Sequence, residues 1–298
     1  MAPALTIREY TDPACPFAFS AEPARLKLQW LYGDQIEWQA VMVVLSESPE
    51  DYIRKGLTTA MLASGMADIQ RRYGMPIDPR ERPRMMATVH ACRAVVAARL
   101  HAPPGRDRAL LRRLRIRAMA GDLIDDPGVI ALCAREAGID PLLVFRATAD
   151  DPSVEAELRD DMAAARAPSA ASLALEHKLA PAGDLGKRYT CPSYEIARNG
   201  GDASGWPRFD VPGFQPVEVY EAAIANLAPE LERRAAPSSV AEVLEWAGEP
   251  LATVEVAAIC GIEPAEARTE LARIANEDAV GPDGFWTLSA APATHAAA

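Results

Sequence analysis

Leu5 to Tyr10 alternates apolar and polar side chains, the period of a strand with one face against a core. Across Ala21–Tyr32, Ala24, Leu28 and Leu31 recur at helical spacing, and Gly33-Asp34 stops the pattern. Ile36–Leu45 is rich in β-formers and ends apolar, which predicts a second strand buried at its end. From about Ser48 to Leu179 the period turns helical. Met85–Leu100 places Val89, Cys92, Val96 and Leu100 on one face. Arg108–Gly121, Gly128–Ala137, Val154–Ala165 and Ser169–Leu179 read as further helices. Breaks are expected at Pro103-Pro104, Asp126-Pro127-Gly128 and Asp140-Pro141.

Strand character returns at Tyr194–Ala197. Asn199-Gly200-Gly201 signals a hairpin turn, and Trp206–Val211 fits an edge strand, where Pro207 is tolerated. Val217–Arg234 reads as a helix. Ala235–Ser239 reads as a linker ending in a helix cap. Three short helices are expected at Val240–Ala247, Thr253–Cys260 and Pro264–Asn276, then a hairpin at Gly281–Gly284 before Phe285–Leu288. Three helices and a hairpin resemble a winged-helix module. The small-residue-rich tail, Ala290–Ala298, is expected to be disordered.

Composition narrows the class. The chain has 298 residues, 49% hydrophobic and 24% charged, as in a folded protein of two or three domains. No run of 18 apolar residues predicts a membrane span. The N-terminus lacks a basic segment leading into an apolar one, so no signal peptide and a cytoplasmic location are expected. A net charge of -11 argues against nucleic-acid partners. The C-terminal module sharpens this. From Val240 to Leu288 it carries ten acidic residues, with only Arg268 and Arg273 as basic ones. Packing on the first domain, or formation of a homodimer, is its expected role. The run Arg106, Arg108, Arg112, Arg113, Arg115 and Arg117 is read as a solvated helix face neutralised by Asp122, Asp125 and Asp126.

Five cysteines without a close pair, in a chain without an export signal, predict reduced thiols. Four scattered histidines and no zinc spacing leave no expected metal site. Cys92, Cys133 and Cys260 fall on apolar helix faces and read as packed residues. Two cysteines differ. Cys15, in Thr11-Asp12-Pro13-Ala14-Cys15-Pro16-Phe17-Ala18, stands between a strand and a helix. The unpaired N–H groups of a helix start lower a thiol's pKa there. Cys191 is followed by Pro192 in Thr190-Cys191-Pro192, just before a returning strand.

These two segments resemble the halves of a DsbA-like active site in the thioredoxin superfamily. The implied fold is α/β: a thioredoxin-like domain (1–57 and 180–235) with an all-helical insertion (58–179). A small winged-helix-like domain (236–290) and a tail (291–298) follow. The family motif is Cys-Pro-x-Cys, whereas this chain has Ala18 at the fourth position. The resemblance implies a thiol–disulfide oxidoreductase with Cys15 as nucleophile. It also implies a cis Pro192 facing Cys15, with Cys191 or a small external thiol as resolver. Pro16, Phe17, Thr190, Pro192 and His90 are the implied substrate contacts. No cofactor is required beyond a possible low-molecular-weight thiol, and the expected substrate is a small-molecule thiol or disulfide. Two alternatives stay open. One is a thiol-dependent isomerase or transferase, similar to the kappa-class glutathione transferase branch. The other is a binding protein without turnover.

Overall fold

The computed structural model describes residues 2–199 and 208–289. The Gly200-Gly201 turn, the first two residues of the expected edge strand and the tail lie outside these residues. In chain order the elements begin with β1 (Leu5–Thr11), α1 (Pro16–Ser20), α2 (Glu22–Tyr32) and β2 (Ile36–Met42). Seven helices follow: α3 (Glu50–Arg54), α4 (Thr59–Tyr73), α5 (Val89–His101), α6 (Arg106–Ala120), α7 (Pro127–Glu136), α8 (Pro141–Asp150) and α9 (Pro152–Ala165). The short α10 (Ala170–Leu173) leads into a hairpin, β3 (Leu179–Pro181) and β4 (Lys187–Tyr189). Then come β5 (Ser193–Arg198), β6 (Arg208–Val211) and α11 (Val217–Leu227). The C-terminal segment holds α12 (Val240–Ala247), β7 (Leu251–Ala252), α13 (Thr253–Cys260), α14 (Pro264–Ile274), β8 (Ala275–Val280) and β9 (Asp283–Leu288).

The central sheet runs β2-β1-β5-β6. β1 and β2 are parallel, joined over α1 and α2, while β5 and β6 are antiparallel additions. The register sets the site. Tyr10 pairs with Ser193, so residues 191–192 stand opposite the end of β1, where the Cys15 loop begins.

Asp126-Pro127, Asp140-Pro141 and Asp151-Pro152 open α7, α8 and α9 rather than merely separating helices. Each aspartate caps its helix and accepts a backbone N–H two residues on, from Gly128, Leu142 and Ser153. Proline at the first helical position has no N–H to leave unpaired, and each cap contributes about 1 kcal/mol. The α5 helix begins later than the periodicity of Met85–Leu100 predicts. The backbone N–H groups of Thr88 and Val89 both donate to Ser46 O, which ties this stretch to the end of the β2 loop. The expected helix Ser169–Leu179 is α-helical for only one turn, and a tighter 3-10 turn at Glu176–Lys178 then leads into β3. The α11 helix ends at Leu227, just ahead of Pro229.

Two large cores flank the sheet. One joins Phe19, Met42 and the insertion helices α5–α9. The other joins α2, α11 and the C-terminal segment through Leu28, Trp30, Tyr194, Ile224, Leu251 and Val256. A third, small cluster holds Tyr10, Cys15, Ala18, Val41, Tyr189 and Cys191. The C-terminal segment packs on the rest along a broad front. Trp246 meets Trp30 edge to face at 5.2 Å, and the Trp30 indole N–H donates to Ala235 O at 2.9 Å. At Gly281 (φ +62) an added Cβ would lie 2.4 Å from Ile77 O, so only glycine permits this approach to the insertion. Among the described residues, no helix is long and apolar enough to cross a membrane.

The arginine run on α6 is not a solvated face. Arg112 and Arg115 are 4% and 2% exposed. Arg115 pairs with Glu9 at 2.6 Å, with Glu22, and with the Thr11 hydroxyl. Arg112 grips Glu255 of α13 through two bonds of 2.8 and 3.0 Å. Only Arg117 takes a predicted partner, Asp122, at 3.7 Å, and it also pairs with Glu136. The carboxylates that neutralise the buried arginines come from β1, α2 and α13, far away in sequence.

Candidate active site

The loop after β1 is organised by Asp12, which is fully buried. Its Oδ1 accepts the Ala14 N–H at 2.8 Å. Its Oδ2 accepts the Leu45 N–H at 2.9 Å, the Thr88 hydroxyl at 2.7 Å and the Cys92 thiol at 3.6 Å. One carboxylate thus holds together the β1 end, the loop after β2 and the start of α5. Val44 supports this with a left-handed backbone (φ 55). A β-branched residue is strained there, and the next N–H, that of Leu45, is the one bonded to Asp12. The Cys15 N–H closes the loop onto Asp12 O at 3.1 Å.

Cys15 is the N-cap residue of α1, with Pro16 at the first helical position. Its side chain is buried, and its thiol donates to Cys191 O at 3.3 Å. The Cys191–Pro192 peptide bond is cis. Both cysteines are free thiols.

The two thiols are polarised in opposite directions. The neighbouring Cys191 side chain is the largest influence that favours a Cys15 thiolate, and the backbone N–H groups of Ala18 and Phe17 add to this. Burial and the charge of Asp12 oppose, but the Cys15 pKa is lowered. Cys191 moves well above the ordinary thiol value, first because burial disfavours its charge and then because Cys15 holds its proton. Hydrogen bonds, rather than a neighbouring cation, are the main support of the Cys15 thiolate.

A cavity of about 310 Å³ opens between Cys15 and α4. Its walls are mostly apolar, with Phe17, Leu62, Met66, Ile69 and Met86 among them. Phe17 is 42% exposed and meets Tyr73 edge to face at 6.3 Å. Pro16 also lines the cavity, and so does Tyr52 of α3.

The structure gathers some of the sequence-predicted residues and separates others. Cys15, Pro16 and Phe17 share the cavity, and Cys191 and Pro192 stand behind Cys15. Thr190 is occupied in its own loop. Its hydroxyl donates to Lys178 O at 3.0 Å, and its carbonyl accepts the Ser193 hydroxyl at 2.8 Å. His90 is exposed and faces a separate cavity with Arg93 and Phe145, so it is not part of the Cys15 site. Cys92 and Cys133 are fully buried, and Cys260 is half-buried. Sequence reasoning missed Asp12 and Tyr52. The only sequence signal for Asp12 is its Asp-Pro step before Cys15, a turn-forming pair. Tyr52 lies in a short helix with no motif around it.

The model of the DSBA-like thioredoxin domain matches residues 6–170. No curated protein matches the chain. Among solved structures, the chain is similar to a putative protein disulfide isomerase from Nitrosomonas europaea. That match has 14% identity and a TM-score of 0.54, and it covers 76% of this chain and 98% of the other. It is also similar to a probable DsbA oxidoreductase from Streptomyces coelicolor. Here the identity is 20% and the TM-score 0.50, over 79% of this chain and 93% of the other. At these identities the structural likeness speaks for the fold. With the family match running over more than half of the sequence, the chain belongs to the DSBA-like thioredoxin domain family.

Proposed function

We propose that the protein is a thiol–disulfide oxidoreductase acting on a small apolar disulfide, with Cys15 as the attacking thiolate and Cys191 as the resolving thiol. The opposite polarisation of the two facing thiols carries this reading. An attacking thiol needs thiolate character near neutral pH, whereas a resolving thiol is held back until the first step is complete. Ala18 is buried at the position where the family motif has its second cysteine, which leaves Cys191 as the neighbouring sulfur. The apolar walls of the cavity favour a substrate with hydrocarbon or aromatic substituents.

The Cys15 thiolate attacks one sulfur of the substrate RS–SR′. A Cys15–SR bond forms, the S–S bond breaks, and R′S⁻ leaves and takes a proton from water. Once Cys15 is uncharged, its contribution to the raised Cys191 pKa is gone. The Cys191 thiol then loses its proton to solvent and attacks the Cys15 sulfur. The Cys15–Cys191 bond forms and RS⁻ departs. The disulfide is reduced to two thiols, and the protein dithiol is oxidised. A low-molecular-weight thiol restores the reduced protein by the same exchange in reverse. The reading fits the cytoplasm, where such thiols are kept reduced.

Thiol titration after exposure to a small aryl disulfide tests the proposal. Wild-type protein should lose two thiols, Cys191→Ala should stop at a stable Cys15 mixed disulfide, and Cys15→Ser should not react. A Cys191→Ala variant that turns over at the wild-type rate with an external thiol would assign resolution to that thiol instead. Cys15 lines the cavity whereas Cys191 does not, which favours a second reading, in which the Cys15 thiolate adds to an electrophilic carbon and needs no resolver. Turnover of an electrophilic substrate with no change in thiol count would identify it.

The C-terminal segment is read as a brace rather than a nucleic-acid reader. Its Arg268 is engaged by Glu277 and Asp283, while Glu263 and Glu266 at the start of α14 are exposed. Phosphates would meet uncompensated carboxylates there.

A further inference from the structure

The cavity beside Cys15 contains few polar groups, and nearly all are committed. The Thr59 hydroxyl donates to Glu81. Arg80 holds Asp78, and Arg84 holds Asp125 through two bonds. Arg82 donates to the carbonyls of Asp78, Arg80, Ala118 and Met119. Tyr52 differs. Among the cavity's cations and hydroxyls, its phenol is the one not locked onto a carboxylate or a backbone carbonyl. Its side-chain hydrogen-bond partner is a hydroxyl, that of Ser46. The Ser46 hydroxyl already donates to Met86 O at 3.2 Å and accepts the Thr88 N–H at 3.1 Å. Asp12, Cys15 and Cys191 lie within electrostatic reach of the same phenol.

We propose that Tyr52 is a catalytic residue whose phenol donates a hydrogen bond to the sulfur that leaves as Cys15 attacks. The proposal rests on Cys15 being the nucleophile. Burial raises the Tyr52 pKa, and the charges of Asp12 and the two cysteines raise it further. The phenol therefore stays protonated throughout the working range and acts as a donor, not a base. In the step itself the Cys15–S bond forms and the substrate S–S bond breaks. The departing sulfur takes the electron pair and accepts the Tyr52 O–H as its charge develops. The proton remains on Tyr52, and the thiolate is protonated by water after it leaves. The benefit is largest for leaving groups that hold charge poorly.

Tyr52→Phe therefore has a signature that a packing defect lacks. Exchange of Cys15 should be followed with a dialkyl disulfide, with a nitroaryl disulfide, and by alkylation with iodoacetamide, where no sulfur leaves. The variant should lose about 10-fold with the dialkyl disulfide, the scale of one hydrogen bond to a charged acceptor. It should lose less than about 2-fold with the nitroaryl disulfide, whose thiolate is already stable. Alkylation should be unchanged, which also shows that the variant is folded with Cys15 intact. An equal loss with both disulfides, no loss with either, or slowed alkylation would overturn the role of Tyr52. Wild-type protein that exchanges with neither disulfide would instead bring down the Cys15 reading.

Discussion

Two buried polar centres lie next to one another, one on β1 and one in the loop that follows it, and they solve the problem of burial in opposite ways. Around Glu9 of β1, four arginines (25, 108, 112 and 115) meet four glutamates (9, 22, 249 and 255). Every charge there has a counter-charge. Burial alone would push Glu22 up, but Arg25, Arg115 and Arg112 hold it far below the usual carboxylate range. Just beyond the end of β1, the Cys15 thiolate has no such partner. It is supported by a second thiol and by backbone N–H groups, with the Asp12 carboxylate working against it. A buried charge that is neutralised becomes a structural joint. A buried charge held only by hydrogen bonds remains available to a reactant. The first centre binds β1, α2, α6 and α13 together, and the second leaves the sulfur of the proposed nucleophile without a counter-ion.

Breaking the ion cluster should have the largest effect. Arg115→Met leaves Glu9 and Glu22 short of a cation in the interior, at a cost of about 3–5 kcal/mol. A urea unfolding curve at pH 7 should show this as a lower midpoint with an unchanged slope. The deficit has a pH signature. The Glu22 pKa is depressed in the fold, so its contribution is present above the unfolded carboxyl value of about 4.3 and is lost as pH falls further. Wild type and variant should therefore converge in stability as the pH drops below about 4. Equal deficits at pH 7 and pH 3 would show that packing, not charge, is what Arg115 provides.

Weakening the thiol centre should cost less and act on reactivity instead. Cys191→Ala removes the main support of the Cys15 thiolate, a hydrogen bond to a charged group worth about 1.5–3 kcal/mol. The Cys15 pKa should rise. The pH profile of iodoacetamide alkylation should shift upward accordingly, so the variant is slower at neutral pH but equal to wild type at high pH. An unshifted profile would leave the helix start alone responsible for the thiolate.

The smallest effect tests a charge of intermediate character. Arg234 stacks over Trp30 at 3.5 Å while its guanidinium reaches water and Glu242. Arg234→Ala should cost about 0.5–1 kcal/mol, the value for an exposed cation–π contact. Trp30 emission should change without loss of the fold. A cost as large as that of Arg115→Met would mean that this contact is as desolvated as the ion cluster.

Much of the architecture was legible. The alternation of Leu5–Tyr10, the helical spacing after it and the apolar run from Ile36 correspond to β1, α2 and β2 because each is a local pattern tied to one buried face. Asp126-Pro127 and Asp140-Pro141 were visible as punctuation, and their role as helix starts follows from capping chemistry. Arg108, Arg112 and Arg115 are spaced as one inward helical face, yet their charge made a solvated face the natural reading. Nothing near them in sequence points to Glu9, Glu22 or Glu255. Likewise, His90 sits on the expected insertion helix, but the rotation of α5 turns it toward another cavity.

The sequence by itself determined the candidate reactive group: a cysteine between a strand and a proline-started helix, with a second Cys-Pro ahead of a returning strand. It determined the loss of the fourth motif position at Ala18, and the acidic surface of the C-terminal segment. Those features depend on neighbours within a few residues. The tertiary structure decided which groups act on that cysteine. The Tyr10–Ser193 register brings Cys191 behind Cys15, Asp12 gathers three segments around the loop, and α3 and α4 wall the cavity with Tyr52 and the methionines. Polarisation of a thiol, pairing of a buried charge and the shape of a cavity all fall off steeply with distance in space. They are therefore fixed by chain segments far apart in sequence, and local pattern has no access to them.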